Sequence, residues 1–205
     1  VTSSVNRVFQ KVPMHRRPFL RWLAIVAAPI LPVRAAVAPS PLALLRRGGH
    51  VILMRHAATV PGIGDPAGFV LEQCGTQRNL SAAGRQDATR IGAAFTRLGI
   101  PVDQVRSSRW CRCLDTATLA FGRATPEPLL DSLFQEDAGA TASRLRAAHA
   151  WLATLRLKGN IVLVTHDVNI RALVGNYVEQ GDMVVASIIE NGALRVAGVL
   201  KRDAL

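Results

Sequence analysis

Two short runs, His50–Arg55 (HVILMR) and Asn160–Thr165 (NIVLVT), constrain this chain more than anything else in it. Each is nearly continuous in apolar side chains and too short for a buried helix, so each reads as a strand covered on both faces. Such strands need helices above and below, and the rest of the sequence supplies them. Ser81 stands where an N-cap belongs, Ala88, Ile91, Gly92, Phe95 and Leu98 follow at helical spacing, and Gly99 closes the helix. Val102–Ser107 suits a strand. Cys111, Leu114, Ala117, Thr118 and Phe121 mark a second helix, ended by Gly122. Pro126–Leu130 reads as a short extended piece. Ala142, Leu145, Ala148, Leu152 and Leu155 mark a third helix, and Val168–Val174 a fourth. Apolar strands at Met183–Ile189 and Leu194–Leu200 flank Asn191-Gly192, a hairpin turn signal. The alternation predicts an α/β protein: a three-layer α/β/α sandwich around a mostly parallel sheet with an antiparallel C-terminal edge.

Composition narrows the partners. The net charge of +11 looks at first like a nucleic-acid signal. However, Arg7, Lys11, Arg16, Arg17, Arg21 and Arg34 all fall in the first 35 residues, where no acidic residue offsets them. The rest of the chain is only modestly basic, rich in arginine, and has no basic run interleaved with aromatics. It therefore fits a small anion better than a nucleic acid. Aromatics are 5% of the chain, so the core must rest on Leu, Val, Ile and Ala.

From Met14 onward the order is a charged stretch (His15, Arg16, Arg17), an apolar stretch (Leu20 to Leu31) and small residues (Val33-Arg34-Ala35-Ala36). This is the layout of a secretory signal, and the apolar part is short of the ~20 residues of a membrane span. Arg16-Arg17-Pro18-Phe19-Leu20-Arg21 resembles a twin-arginine export motif. The expected organisation is an extension and export signal over 1–38, a linker with a helical turn over 39–48, and a catalytic domain over 49–205. Residues 1–13, ahead of Met14, read as an alternative start. The expected location is periplasmic or extracellular, with membrane contact only through the signal. The three cysteines, Cys74, Cys111 and Cys113, leave at least one unpaired; Cys74 bridged to either of the others and buried free thiols are both open. Their spacing does not suit a metal.

In parallel sheets, ligands gather beyond the carboxyl ends of the strands. Here those ends carry Arg55 and His56, then Ser107, Ser108 and Arg112, then His166 and Asp167. Between Ala57 and Asn79 lies a long loop rich in Gly and Pro, of the kind that is usually functional. Guanidinium forks match phosphate oxygens, and a neutral imidazole can attack phosphorus and carry the phosphoryl group. No P-loop pattern occurs.

Four ordered segments also resemble the histidine phosphatase (phosphoglycerate-mutase-like) superfamily: Leu53-Met54-Arg55-His56-Ala57-Ala58-Thr59, Asn79-Leu80-Ser81-Ala82-Ala83-Gly84-Arg85, Ser107-Ser108-Arg109-Trp110-Cys111-Arg112 and Val164-Thr165-His166. The sequence departs from the common pattern at Ala57, where Gly is common, and at Arg109, where Pro is usual. The resemblance implies a phosphomonoester hydrolase that needs neither metal nor other cofactor. It makes His56 the nucleophile, and Arg55, Arg112 and His166 the phosphoryl ligands. Thr59 would add a hydroxyl, and Arg78 could approach from the long loop. A carboxylic acid must protonate the leaving alkoxide. Glu136 and Asp167 are equal candidates, with Asp137 behind them. The expected partner is a phosphorylated small molecule or saccharide. A phosphate-binding domain without turnover and a phosphosugar mutase are the competing readings.

Overall fold

The computed structural model describes residue 2 and residues 39–205, so the export signal expected over 14–36 lies outside the described residues. Six strands form one sheet: β1 (Val51–Arg55), β2 (Val102–Ser107), β3 (Thr125–Pro126), β4 (Asn160–Thr165), β5 (Met183–Ile188) and β6 (Leu194–Leu200). Their order is β3-β2-β4-β1-β5-β6. β3, β2, β4 and β1 run parallel, β5 is antiparallel to β1, and β6 is antiparallel to β5. The helices are α1 (Pro41–Arg47), α2 (Ala82–Arg97), α3 (Cys111–Phe121), α4 (Ala138–Thr154) and α5 (Asp167–Val174).

The two-residue period of the central strands sorts the core into two layers. Ile52, Met54, Val162 and Val164 pack with Ile91 and Phe95 of α2, Ala117 of α3 and Leu45 of α1. Val51, Leu53, Ile161 and Leu163 point the other way, onto Leu152 of α4 and Ile170 of α5. Every one of these β1 and β4 side chains is fully buried, which is why the two runs carry no polar alternation. This is the expected α/β/α arrangement.

Helix boundaries follow local chemistry. The Ser81 hydroxyl accepts from the Gly84 amide at 3.0 Å and caps α2, while Gly122 ends α3 and Gly175 ends α5 in the left-handed conformation. The expected linker contains a full helix, α1, opened by Ser40 and anchored by the buried Leu45. Pro126–Leu130 is not extended throughout: it divides into the two-residue β3 and a 3-10 turn at Pro128–Leu130. The third predicted helix starts earlier, at Ala138, and stops before Leu155; among its residues only Ala148 and Leu152 are buried. The C-terminal strands form a hairpin, but with a wider connection than the two-residue turn predicted. Asn191 takes φ 60°, and Gly192 lies so close to α4 that a Cβ there would overlap the His149 carbonyl oxygen.

The loop after β1 is organised rather than loose. A Cys74–Cys111 disulfide ties it to the start of α3 and leaves Cys113 as a buried thiol. The bridge spans 37 residues; at that length, cross-linking is worth about 4 kcal/mol through restriction of the unfolded chain.

Helices α2 and α3 touch at Gly92, where a Cβ would overlap the carbonyl oxygen of Ala120. In an open helix, Gly→Ala stabilises by about 0.5–1 kcal/mol. Here the obstructing atom is backbone and cannot rotate away. Gly92→Ala should therefore destabilise by about 1–3 kcal/mol in urea melts. A stabilised variant would show that the two helices can part freely.

Candidate active site

The carboxyl ends of β1, β2 and β4 open into one cleft of about 420 Å³. Arg55 ends β1 and His56 follows it; the His56 amide donates to the Thr165 carbonyl at 3.0 Å, which joins the two strand ends. Arg112 lies in the first turn of α3, and His166 is the N-cap residue of α5. The two imidazoles meet edge to face, with ring centroids 5.5 Å apart. Arg55, His56, Arg78, Arg112, His166, Glu136 and Asp167 all line the cleft. Thr59 is not in its wall: it pairs with Leu80 across a β-bridge, and its hydroxyl accepts from the Gln180 side chain at 3.2 Å.

The histidines are held for different tasks. Nδ1 of His56 lies 2.8 Å from the Ala57 carbonyl oxygen, which can only accept, so Nδ1 carries the proton and Nε2 keeps its lone pair. The Ala57 amide is fixed in turn by Thr116 of α3, at 3.0 Å. His166 Nε2 hydrogen-bonds Ser108 Oγ at 2.9 Å. Behind Ser108 is the buried carboxylate of Asp131, clasped by the Arg109 side chain at 2.7 Å. The arginine at the unusual motif position therefore braces the wall behind the second histidine. Burial pushes the His56 pKa down to about 3, with the charges of Arg112, Arg55 and Arg78 acting in the same direction against the Ala57 hydrogen bond. Burial also drives His166 well below the ordinary histidine value, followed by His56 and the same arginines. Both rings are neutral across the physiological range.

Three guanidiniums face this neutral pair. Arg55 donates to the Val178 carbonyl at 2.9 Å and Arg78 to the Gly62 carbonyl at 2.6 Å. Arg112 pairs with Asp65 at 2.7 Å, both side chains being almost fully buried. The Nε atoms of all three are buried and have no protein partner. Burial and the neighbouring charge of Arg112 lower the pKa of Arg78. The arrangement has unspent donors and surplus positive charge, which are the requirements of a small multivalent anion.

Asp65, which the sequence did not single out, organises the loop side. Its carboxylate accepts from Arg112, from the Arg78 amide at 2.9 Å and from Trp110 Nε1 at 2.9 Å. Burial pushes the carboxyl up, but Arg112, the Arg78 amide and Trp110 together outweigh it and hold the pKa below the usual carboxylate value. Asn169 was also missed. It donates to the Asp131 carbonyl at 2.8 Å and accepts from the Leu133 amide at 3.2 Å, so α5 holds the segment that carries Glu136. Neither residue lies in a motif or at a strand end, and each acts on a partner more than 35 positions away.

The two candidate acids differ. Glu136 forms an ion pair with Arg144, while its other carboxylate oxygen, Oε2, is buried without a partner. Asp167 lies between Arg55 at 4.0 Å and Arg171 at 3.6 Å. Asp137 instead caps α4 through the Ala140 amide at 2.8 Å.

The histidines set an acid limit on stability. An unfolded histidine titrates near 6.5. Between there and a folded value of about 3 for His56, the unfolded chain binds the extra proton. Stability is complete above about pH 6.5 and falls as pH drops through that window. His56 alone accounts for about 2 kcal/mol between pH 7 and pH 5, and His166 adds to the loss. Urea melts at the two pH values should show this loss reduced in a His56→Gln/His166→Gln variant. An equal loss in both proteins would contradict the assignment.

No protein-family model matches the chain and no curated protein matches it by sequence. Solved structures do match in shape. The product of an open reading frame of Mycobacterium tuberculosis superposes with TM-score 0.56 at 18% identity, over 75% of this chain and 97% of that one. A mutant phosphoserine phosphatase from Entamoeba histolytica, in complex with phosphoserine, gives 0.51 at 12%, over 76% and 98%. The protein histidine phosphatase SixA, complexed with tungstate, gives 0.50 at 14%, over 75% and 97%. With its sheet order, and with histidines and arginines gathered at the carboxyl ends of the strands, the chain has the histidine phosphatase fold.

Proposed function

We propose that the protein is a phosphomonoesterase of the histidine phosphatase superfamily, working through a phosphohistidine on His56. The observation that carries the reading is a neutral imidazole, its Nε2 lone pair free, beside three guanidiniums with unpartnered buried Nε atoms. Two proteins of the same fold hold tungstate and phosphoserine. In the proposed reaction, Arg55, Arg78, Arg112 and His166 bind the phosphoryl oxygens. His56 Nε2 forms a bond to phosphorus as the bond to the ester oxygen breaks, and that oxygen leaves with a proton from a carboxylic acid. Water then attacks phosphorus, gives its proton to the same carboxylate, and frees inorganic phosphate and His56. The arginines supply the charge that the in-line transition state needs, and no metal enters the scheme.

Glu136 is the better placed acid. It lines the cleft, its Oε2 has no hydrogen-bond partner, and Arg144 on the other oxygen would stabilise the carboxylate left behind. Asp167, between two arginines, is better placed to orient Arg55. We also place the enzyme outside the cytoplasm, as a periplasmic or extracellular protein. The signal-like order of residues 14–36 supports this, and so does a disulfide within the domain.

The domain should hydrolyse p-nitrophenyl phosphate in the presence of a chelator, and His56→Ala should lose about 10⁴-fold or more in kcat. Undiminished turnover in that variant would sink the proposal. Glu136→Gln should lose about 10²-fold or more with alkyl phosphates, whose leaving groups need a proton, and far less with p-nitrophenyl phosphate. Asp167→Asn should lose similar factors on both; the reverse pattern would make Asp167 the donor.

A further inference from the structure

We propose that the cleft selects phosphate monoesters whose alcohol half is apolar, an alkyl or aryl group, by means of a collar made of Ile63, Phe69, Trp110 and Phe134. The inference rests on the phosphatase reading for where the phosphate sits, and it names what is attached to that phosphate.

Three of the four come from two segments that line the same cleft as the arginines. From the long loop come Ile63, 92% exposed, and Phe69. From the segment after Leu130 comes Phe134, 58% exposed, whose ring edge lies 3.6 Å from where a Cβ on Gly64 would stand. Trp110 joins the collar to the floor: its ring meets Phe69 at 5.8 Å and stands edge-on to His166 at 5.5 Å. Its only polar atom, Nε1, is already used by Asp65, so the ring presents carbon to the cleft. Large side chains are normally withdrawn from water, and two so exposed at the mouth of one cleft mark a binding surface rather than a random scatter.

The polar groups of the same wall are mostly committed. Asp65 is occupied by Arg112 and Trp110, one oxygen of Glu136 by Arg144 while the other is buried away from the cleft surface, and the Ser132 hydroxyl accepts from the Phe134 amide. Gln135 is the one uncharged side-chain amide in the cleft wall, among the described residues. A sugar ring would bring several hydroxyls, each losing water without a matched partner. An alkyl or aryl group loses nothing of that kind and covers the exposed carbon of Ile63 and Phe134. The collar therefore favours the apolar alcohol over a saccharide.

Alkylphosphonates test this apart from turnover, because their C–P bond is not hydrolysed. The dissociation constants of methyl-, butyl- and octylphosphonate are to be measured by calorimetry, with displacement by inorganic phosphate to confirm the site. The octyl compound should bind at least about thirtyfold more tightly than the methyl one, well below the roughly fourfold per methylene that complete burial would give. Ile63→Ser/Phe134→Ser should remove most of that gain. A flat series in the unaltered protein, a gain retained in the double variant, or octylphosphonate that phosphate cannot displace would each overturn the collar. Hydrolysis of p-nitrophenyl phosphate is followed in parallel. A rising series without hydrolysis keeps the collar and removes the phosphatase reading, whereas hydrolysis with a flat series does the opposite.

Discussion

The buried ion pair between Asp65 and Arg112 is the contact on which the site depends. Three guanidiniums converge on one cleft, and without a counter-charge they would repel one another in a medium that screens poorly. Removing one partner of a buried pair costs about 3–5 kcal/mol, because the other charge is left stranded. Asp65 also receives the Arg78 amide and the Trp110 indole, so one carboxylate fixes two of the three arginines and the central ring of the cleft wall. The disulfide reinforces the same attachment by joining Cys74, four residues before Arg78, to Cys111, next to Arg112. The pair neutralises only part of the positive charge, and the Nε atoms of all three arginines are left without a protein partner.

The sheet makes this convergence possible. After β1 the chain leaves for α2, on the face packed by Ile52 and Met54; after β4 it leaves for α5, on the face packed by Val51 and Leu53. Adjacent parallel strands whose continuations part to opposite faces leave a gap at their carboxyl ends. His56 and His166 occupy that gap because each is the first residue past its strand. Their pairing is thus a consequence of register, since Arg55 lies opposite Thr165 in the ladder.

Burial of the central strands on both faces also explains what could be seen in the sequence. Strands buried on both faces have no choice but to be apolar, so β1, β4 and the residues just beyond them stand out without a structure. Arg112 follows from the same rule applied to β2. Asp65 and Asn169 do not, because their roles exist only once the loop and α5 are folded against partners distant in sequence. Thr59 shows the opposite relation between motif and fold. Its place in a motif-like segment pointed to the substrate, but the β-bridge to Leu80 turns its hydroxyl to Gln180. The apolar spacing that predicts α4 is scarcely used in packing, and the helix start is set instead by the Asp137 cap. The hairpin signal at Asn191-Gly192 located the turn, but close packing of Gly192 on α4 set its width.

In the proposed reaction, the environment of His56 would resolve a conflict inherent in a buried nucleophile. Burial keeps the ring neutral, so that the lone pair is available without a separate base, but it would penalise the positive charge the ring gains if Nε2 bonds to phosphorus as proposed. The Ala57 carbonyl, 2.8 Å from Nδ1, is the one contact that acts against burial on the free ring. It stabilises the protonated Nδ1 most when the ring becomes cationic, and Thr116 fixes the adjoining Ala57 amide. A dipole held in place before the charge develops needs no reorganisation during the reaction. A phosphoryl group transferred in the proposed reaction would bring its own negative charge next to the ring and to the arginines, so the state that burial alone would disfavour would be compensated from both ends of the imidazole.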